Sequence, residues 1–237
     1  MNPNLNHAQC RPGHNTGTKS GVLDGRLMIK VLEGSLLIEE SGILSKTDYQ
    51  GLRNWAKEYY SWLTTNEMAL QESASKNNHG SFYDVQAMSF ALYSGNHPAA
   101  KSIAQEFNSK RLLPQIQSDG AMPHEIARTR PLFYSIFNLH AMFLVAHLAE
   151  HVDVDLWRNE ADDSRLRIGL DHIVPYADST KSWPSPTIGQ ANRMELLAIL
   201  KMANNAYPNG SYWEFAEKLE EQERKFHRTN LAYPLMR

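Results

Sequence analysis

Apolar residues in this 237-residue chain recur at helical spacing in two alternating kinds of segment. That alternation limits the fold more than any other feature. In the dense kind, apolar residues cover most of the helix circumference. From Gly21 to Glu40 these are Val22, Leu23, Leu27, Met28, Ile29, Val31, Leu32, Leu36, Leu37 and Ile38. From Pro131 onward they are Leu132, Phe133, Ile136, Phe137, Leu139, Met142, Phe143, Leu144, Val145 and Leu148. Such density marks a buried helix. The second kind carries a single stripe, as in Leu52, Trp55, Ala56, Tyr59 and Leu63, with Arg53, Lys57 and Glu58 off it. That pattern marks a helix with one face outward.

Local signals divide the chain further. Thr47-Asp48-Tyr49-Gln50 has capping-box spacing and predicts a helix start. A helix is expected from about Phe82 to Tyr93. The turn Gly95-Asn96-His97-Pro98 follows, with proline placed to open an amphipathic helix over 98–109. Pro131 is expected at the first turn of the second dense segment. Further helices are expected near 164–177, 192–206 and 211–226. No segment reads as a strand, and there is no exact repeat. The total is about eight helices, alternately buried and one-sided.

Consecutive antiparallel helices joined by short turns would point all the buried ones in one direction. The expected class is all-α, an α/α toroid of hairpins with inner and outer layers, in one domain over 1–237. An irregular helical bundle is the competing arrangement. In a toroid, the loops at 2–20, 70–81, 110–130 and 178–191 each feed a buried helix and so meet at one end. Helix N-termini there present free N–H groups and partial positive charge, which favour an anionic ligand.

Composition excludes several functions. A net charge of -2 and the lack of any Lys/Arg block argue against nucleic acid as a partner. Cys10 is the only cysteine, so neither an internal disulfide nor a thiolate zinc cluster is expected. His140 and His147 sit on a buried helix without a carboxylate at ligand spacing, and are expected as packed core histidines. No metal or cofactor is expected. The polar start Met1–His7 does not read as a signal peptide, and no segment reaches the ~18 apolar residues of a membrane span.

The chemistry concentrates in two loops. Lys76-Asn77-Asn78-His79-Gly80-Ser81-Phe82-Tyr83-Asp84-Val85-Gln86 packs amides, an imidazole, a phenol and a carboxylate around one glycine. Amides donate without charge, and an imidazole accepts a proton near neutral pH. That mixture suits a site that holds a carboxylate and removes a neighbouring proton. The second run is His124-Glu125-Ile126-Ala127-Arg128-Thr129-Arg130-Pro131-Leu132-Phe133-Tyr134. It places a guanidinium just before a helix and a phenol in its first turn. Each group also has a structural reading. Asn78 can cap a helix, His79 and Tyr134 can be packed side chains, and Arg128 can pair locally with Glu125.

Lys76–Gly80 with Tyr83–Gln86 resembles the signature of the alginate lyase superfamily. Glu125–Arg130 with Tyr134–Leu139 is similar to its second motif. The likeness is greatest to the alginate and glucuronan lyases of polysaccharide lyase family 38, with family 5 more distant. It runs from about Asn4 to the last helices. It implies an α/α toroid that cleaves an acidic polysaccharide, alginate or glucuronan, by β-elimination without an obligatory metal. It places carboxylate neutralisation on Asn78 and Arg128, and proton donation to the leaving O4 on Tyr134. The base is then His79 or Tyr134, according to which face carries the C5 proton; His79 can instead hold Tyr134 in a reactive state.

Glu125 is expected to orient Arg128 beside the substrate. His7, Gln9, Tyr83, Gln86, His124, Arg130, Lys181 and Trp183 are expected as contacts for further sugars. Relatives begin with more helices upstream, so the resemblance implies a toroid with an open side. An uncovered inner helix would expose apolar surface that a homodimer would hide. A cleft short of one wall would make a weakly active or inactive oligouronate-binding protein the alternative function. Relatives are often exported, and the compartment stays open.

Overall fold

The computed structural model describes residues 2–158 and 164–233. After a 3₁₀ segment (Lys19–Gly25) come α1 (Arg26–Leu37), α2 (Lys46–Thr65), α3 (Glu67–Ser73), α4 (Asn78–Tyr93) and α5 (His97–Phe107). A π-helical turn (Asn108–Leu112) then leads into the short α6 (Leu113–Gln115) and α7 (Pro123–Ile126). α8 (Pro131–Ala149), α9 (Arg165–Ile173), α10 (Leu196–Ala206), α11 (Tyr212–Ala216), α12 (Glu221–Phe226) and α13 (Thr229–Ala232) complete the order. No strand occurs among the described residues.

The architecture is the expected helical toroid. α4 packs on α1 and α8, and α8 on α10, so these four form an inner row. α2 backs α4, α5 bridges α4 and α8, and α9 backs α8. α4 is buried nearly all round because its faces serve two clusters. Phe82, Val85 and Met88 join Leu139 and Met142 of α8. Tyr83, Ala87 and Phe90 join Tyr59 and Leu63 of α2.

Caps and prolines set the helix starts. Asn66, Asn77 and Asn96 cap α3, α4 and α5, and Pro131 opens α8 as predicted. The capping box of α2 is Ser45–Asp48, not Thr47–Gln50. An acidic N3 side chain both accepts the cap N–H and complements the helix dipole, which favours the earlier pair. The last expected helix is broken into α11 and α12.

Two further expectations, both about long helices, are corrected. The first dense segment is not a fully buried helix. Only Ile29, Leu32 and Ser35 of α1 are buried, while Leu27 is 52% and Leu37 68% exposed. Its sequence suits neighbours on every side, but α2 and α4 cover only part of it. Second, Pro131–Val152 is long and apolar enough to cross a membrane, contrary to the reading of the sequence. It is the core helix, largely covered by α4, α5, α9 and α10.

The α8 histidines differ from each other. His147 is a half-exposed partner of Glu150, not a core residue. His140 has a buried Nε2 without a hydrogen-bond partner. Burial and, secondarily, the charge of Lys30 push its pKa down to about 4. The unfolded chain, near 6.5, therefore takes up this proton first as pH falls. Stability present above about pH 6.5 is lost on the way down to about 4. Between pH 7 and 4.5 this group is expected to cost roughly 2–3 kcal/mol. Urea unfolding at both pH values, for wild type and His140→Leu, checks it: the loss should shrink in the variant. An equal loss in both would disprove the assignment.

Candidate functional site

The loops that precede the inner helices meet at one rim. The backbone N–H and Nδ2 of Asn78 donate to Glu125 in the segment before α8, at 2.6 to 2.9 Å. The Ile188 N–H, before α10, donates to the Thr129 carbonyl at 2.9 Å, and Arg130 donates to the Gln190 carbonyl at 2.9 Å. Trp62, near the end of α2, donates to Asn6 of the first loop at 2.8 Å. These contacts follow from inner helices that all start at the same end.

Asn78 and His79 lie in the first turn of α4 rather than in the loop before it. Asn77 is the cap, with its side chain accepting from the His79 N–H at 3.3 Å. The capping role open to Asn78 is therefore filled by its neighbour. His79 Nδ1 is hydrogen-bonded to Glu72 of α3, a fully buried carboxylate. A carboxylate accepts, so Nδ1 donates in this contact and Nε2 is the ring nitrogen left to face other partners. With 20% of its side chain exposed, His79 is reachable from solvent. Glu72 escaped the sequence reading because it precedes the motif on another helix; its spacing of seven residues carries no signal for a helix–turn–helix contact.

A buried strut supports this corner. Arg111 donates to Asp84 at 2.6 Å, to the Ser75 carbonyl at 2.8 Å and to the Ser73 carbonyl at 2.7 Å. The π-helical turn supplies Arg111, and turns of this kind often reorient side chains at functional sites. It fixes the turn between Glu72 and His79. Gly80 is required there: a Cβ would run into the Ser75 carbonyl and the Arg111 guanidinium.

Across the rim, the Arg128 guanidinium lies 4.0 Å from the centroid of the Tyr134 ring. Glu125 was expected beside Arg128 and the substrate. It is instead fully buried, and its carboxylate is spent on Asn78. Burial raises its pKa, opposed by the Asn78 hydrogen bonds and by the charges of Arg128 and His79. Glu125 thus joins the two halves: it holds Asn78 directly and sits within the field of Arg128 and His79. The Glu125 carbonyl also accepts from the Arg128 N–H at 3.0 Å, so the Asn78 turn and the Arg128 segment are tied at this residue.

The outer positions separate into groups. Tyr83 and Gln86 are not cleft residues. Tyr83 donates to the Leu63 carbonyl at 2.9 Å, and burial pushes its pKa up to about 12. Gln86 donates to the Val22 and Phe82 carbonyls and accepts from Tyr59 at 2.9 Å. Both belong to the motif by sequence, but α4 is buried on every side and turns them inward. Arg130 lies 4.5 Å over the Phe133 ring, at the rim. Trp183 packs edge-on against Tyr176 and His172, and its indole N–H is buried without a partner. Lys181 and His124 are exposed. His7 and Gln9 are exposed too, bonded within the N-terminal segment to the Asn15 carbonyl and, weakly, to Asp24. A cavity of about 590 Å³ opens at the opposite end, lined by His147, Glu150, Trp157, Met202 and Tyr233. It holds none of the rim residues, and its Glu150 is already bonded to Trp157.

Comparison with known proteins gives a consistent result. A family model described as alginate lyase matches residues 1–183. The fold is similar to the crystal structure of an alginate lyase from Bacteroides ovatus, at 32% identity and a TM-score of 0.89. That match covers all of this chain and 63% of the other, so the chain spans less than two thirds of its length. No curated protein matches the chain.

Proposed function

The chain belongs to the alginate lyase family, and on that basis we propose that it cleaves a polyuronate, alginate or glucuronan, by β-elimination. The observation that carries this reading is the Asn78–Glu125 hydrogen bond, which ties the Asn78–His79 turn to the segment whose Arg128 stacks on Tyr134. In this reaction a base removes the C5 proton alpha to the carboxylate. The C4–O4 bond breaks, a C4=C5 double bond forms, and O4 leaves with a proton.

Charge builds on the carboxyl oxygens as C5 loses its proton, so donors aimed there are the main requirement. Arg128 supplies a permanent charge and a fork that fits a carboxylate. Its stacking on Tyr134 keeps that charge beside the phenol that protonates O4. The Asn78 amide nitrogen lies 2.9 Å from both Glu125 oxygens; with one hydrogen shared between them, the second is assigned to the substrate carboxylate, which must reach a side chain only 1% exposed. His79, with Nδ1 committed to Glu72, offers Nε2 as the base for one C5 epimer. Tyr134 serves as base and acid when the C5 proton and O4 lie on its side.

The test is absorbance of the unsaturated product with polymannuronate, polyguluronate and glucuronan. Binding of oligouronates with no product from any polymer would replace this reading with a carbohydrate-binding role. The Glu72 contact adds a prediction. Glu72→Gln is expected to lower kcat by roughly 10–100-fold on the epimer that uses His79, less than the ~10²–10⁴-fold contribution of a general base itself. Its effect on the other epimer should be smaller. Equal losses on both would remove Glu72 from the base.

A further inference from the structure

We propose that Arg26 is a substrate-binding residue that holds the carboxylate of a sugar next to the one being cleaved; this rests on the polyuronate reading of the site. Arg26 is the first residue of α1, and its guanidinium lies 5.4 Å from the Phe137 ring and 6.0 Å from the Phe82 ring. Those rings pack at 4.3 Å. Phe137 stacks on Phe133 at 5.8 Å, and Phe133 meets the edge of Tyr134 at 5.1 Å. Four rings from α4 and α8 therefore form one continuous strip that ends on the proposed acid. Three guanidiniums stand along it: Arg128 over Tyr134, Arg130 over Phe133 and Arg26 over Phe137.

Arg26 lacks the partners that explain other arginines here. Arg111 is neutralised by Asp84, and Arg53 pairs with Glu39. Among the described residues the Arg26 side chain donates to the Leu23 carbonyl alone, at 3.4 Å, and no carboxylate reaches ion-pair distance. The nearby Lys30 adds like charge. A half-buried guanidinium on apolar rings, without an anion, has given up hydration that a carboxylate would restore. A polyuronate carries one carboxylate per sugar, so a cleft that grips more than one sugar needs more than one cation. Phe133, Tyr134 and Phe137 are partly exposed and supply faces for the sugar C–H groups between those charges, while Phe82 is buried beneath them. The strip also sets a direction for the polymer, from Tyr134 toward α1.

The experiment has two arms. Wild type is first assayed on the three polymers, and absence of cleavage of all three overturns the underlying lyase reading. Oligouronate binding is then measured by calorimetry in the Tyr134→Phe protein, with and without Arg26→Gln. The expected result is a Kd raised about tenfold by Arg26→Gln, as for loss of a charge-assisted contact, and partly recovered by Arg26→Lys. In the active enzyme, Arg26→Gln should raise KM by a similar factor with a smaller effect on kcat. A ring-stacking role alone would leave Kd unchanged, and would give Arg26→Gln a lower melting temperature instead. Cleavage by wild type with an unchanged Kd in Arg26→Gln overturns the assignment of Arg26 while the lyase reading stands.

Discussion

Replacing Tyr134 by phenylalanine is expected to lower kcat for polyuronate cleavage by about 10²–10⁴-fold, the usual contribution of one proton-transfer group. KM should change little, because the ring and its cation–π contact with Arg128 remain. This separates chemistry from binding. Arg128→Lys provides the contrast: it keeps a charge but loses the planar fork, so both KM and kcat should suffer. Steady-state rates of unsaturated-product formation on each polymer measure both. Tyr134 lies partly exposed in the first turn of α8, so loss of its hydroxyl leaves no buried polar atom unpaired. The melting temperature should therefore stay near that of wild type. Retention of more than a tenth of wild-type kcat in Tyr134→Phe would rule out the phenol as the acid.

The second large effect is on stability. Arg111→Ala is expected to cost about 3–5 kcal/mol, the range for breaking one side of a buried ion pair. Asp84 keeps Lys110 at 3.1 Å, which points to the lower end of that range. The Ser73 and Ser75 carbonyls lose their donors as well, which adds to the loss. Arg111→Lys should rescue little, since an ammonium cannot reach all three acceptors at once. The double change Arg111→Met with Asp84→Leu should recover part of the loss, because no buried carboxylate is left with only the half-exposed Lys110 as partner. Urea denaturation midpoints report all of these. Activity should fall with stability, because the turn that Arg111 holds carries Glu72 to His79. A loss below 1 kcal/mol in Arg111→Ala would show that the strut is dispensable.

How far the fold could be read depends on the element. α8 announced itself: Pro131 set its start, and its apolar circumference matched its central place. The stripe Leu52, Ala56, Tyr59 and Leu63 placed α2 outside, against α4. α1 misled because periodicity records which residues suit burial, not how many neighbours arrive. Leu27 and Leu37 have the same pattern as Leu132 and Leu139, yet only the latter pair is covered. The same limit applied at the site. Asn78 and Gln86 share one motif and are both buried, but the Asn78 amide reaches the segment before α8 while Gln86 bonds Tyr59 and core carbonyls.

Residue order alone established an all-helical chain of alternating inner and outer helices, two polar runs ahead of inner helices, and the chemical types needed to bind a carboxylate and move a proton. These are local properties, written in spacing and composition. Tertiary structure decided the pairings: Glu72 with His79, Glu125 with Asn78 rather than Arg128, Arg111 with the turn at 73–75, and Arg26 with the ring strip. Each joins side chains from separate elements. Hydrogen bonds and ion pairs depend on distances of a few ångströms that periodicity does not encode, so these contacts existed only once the helices had packed.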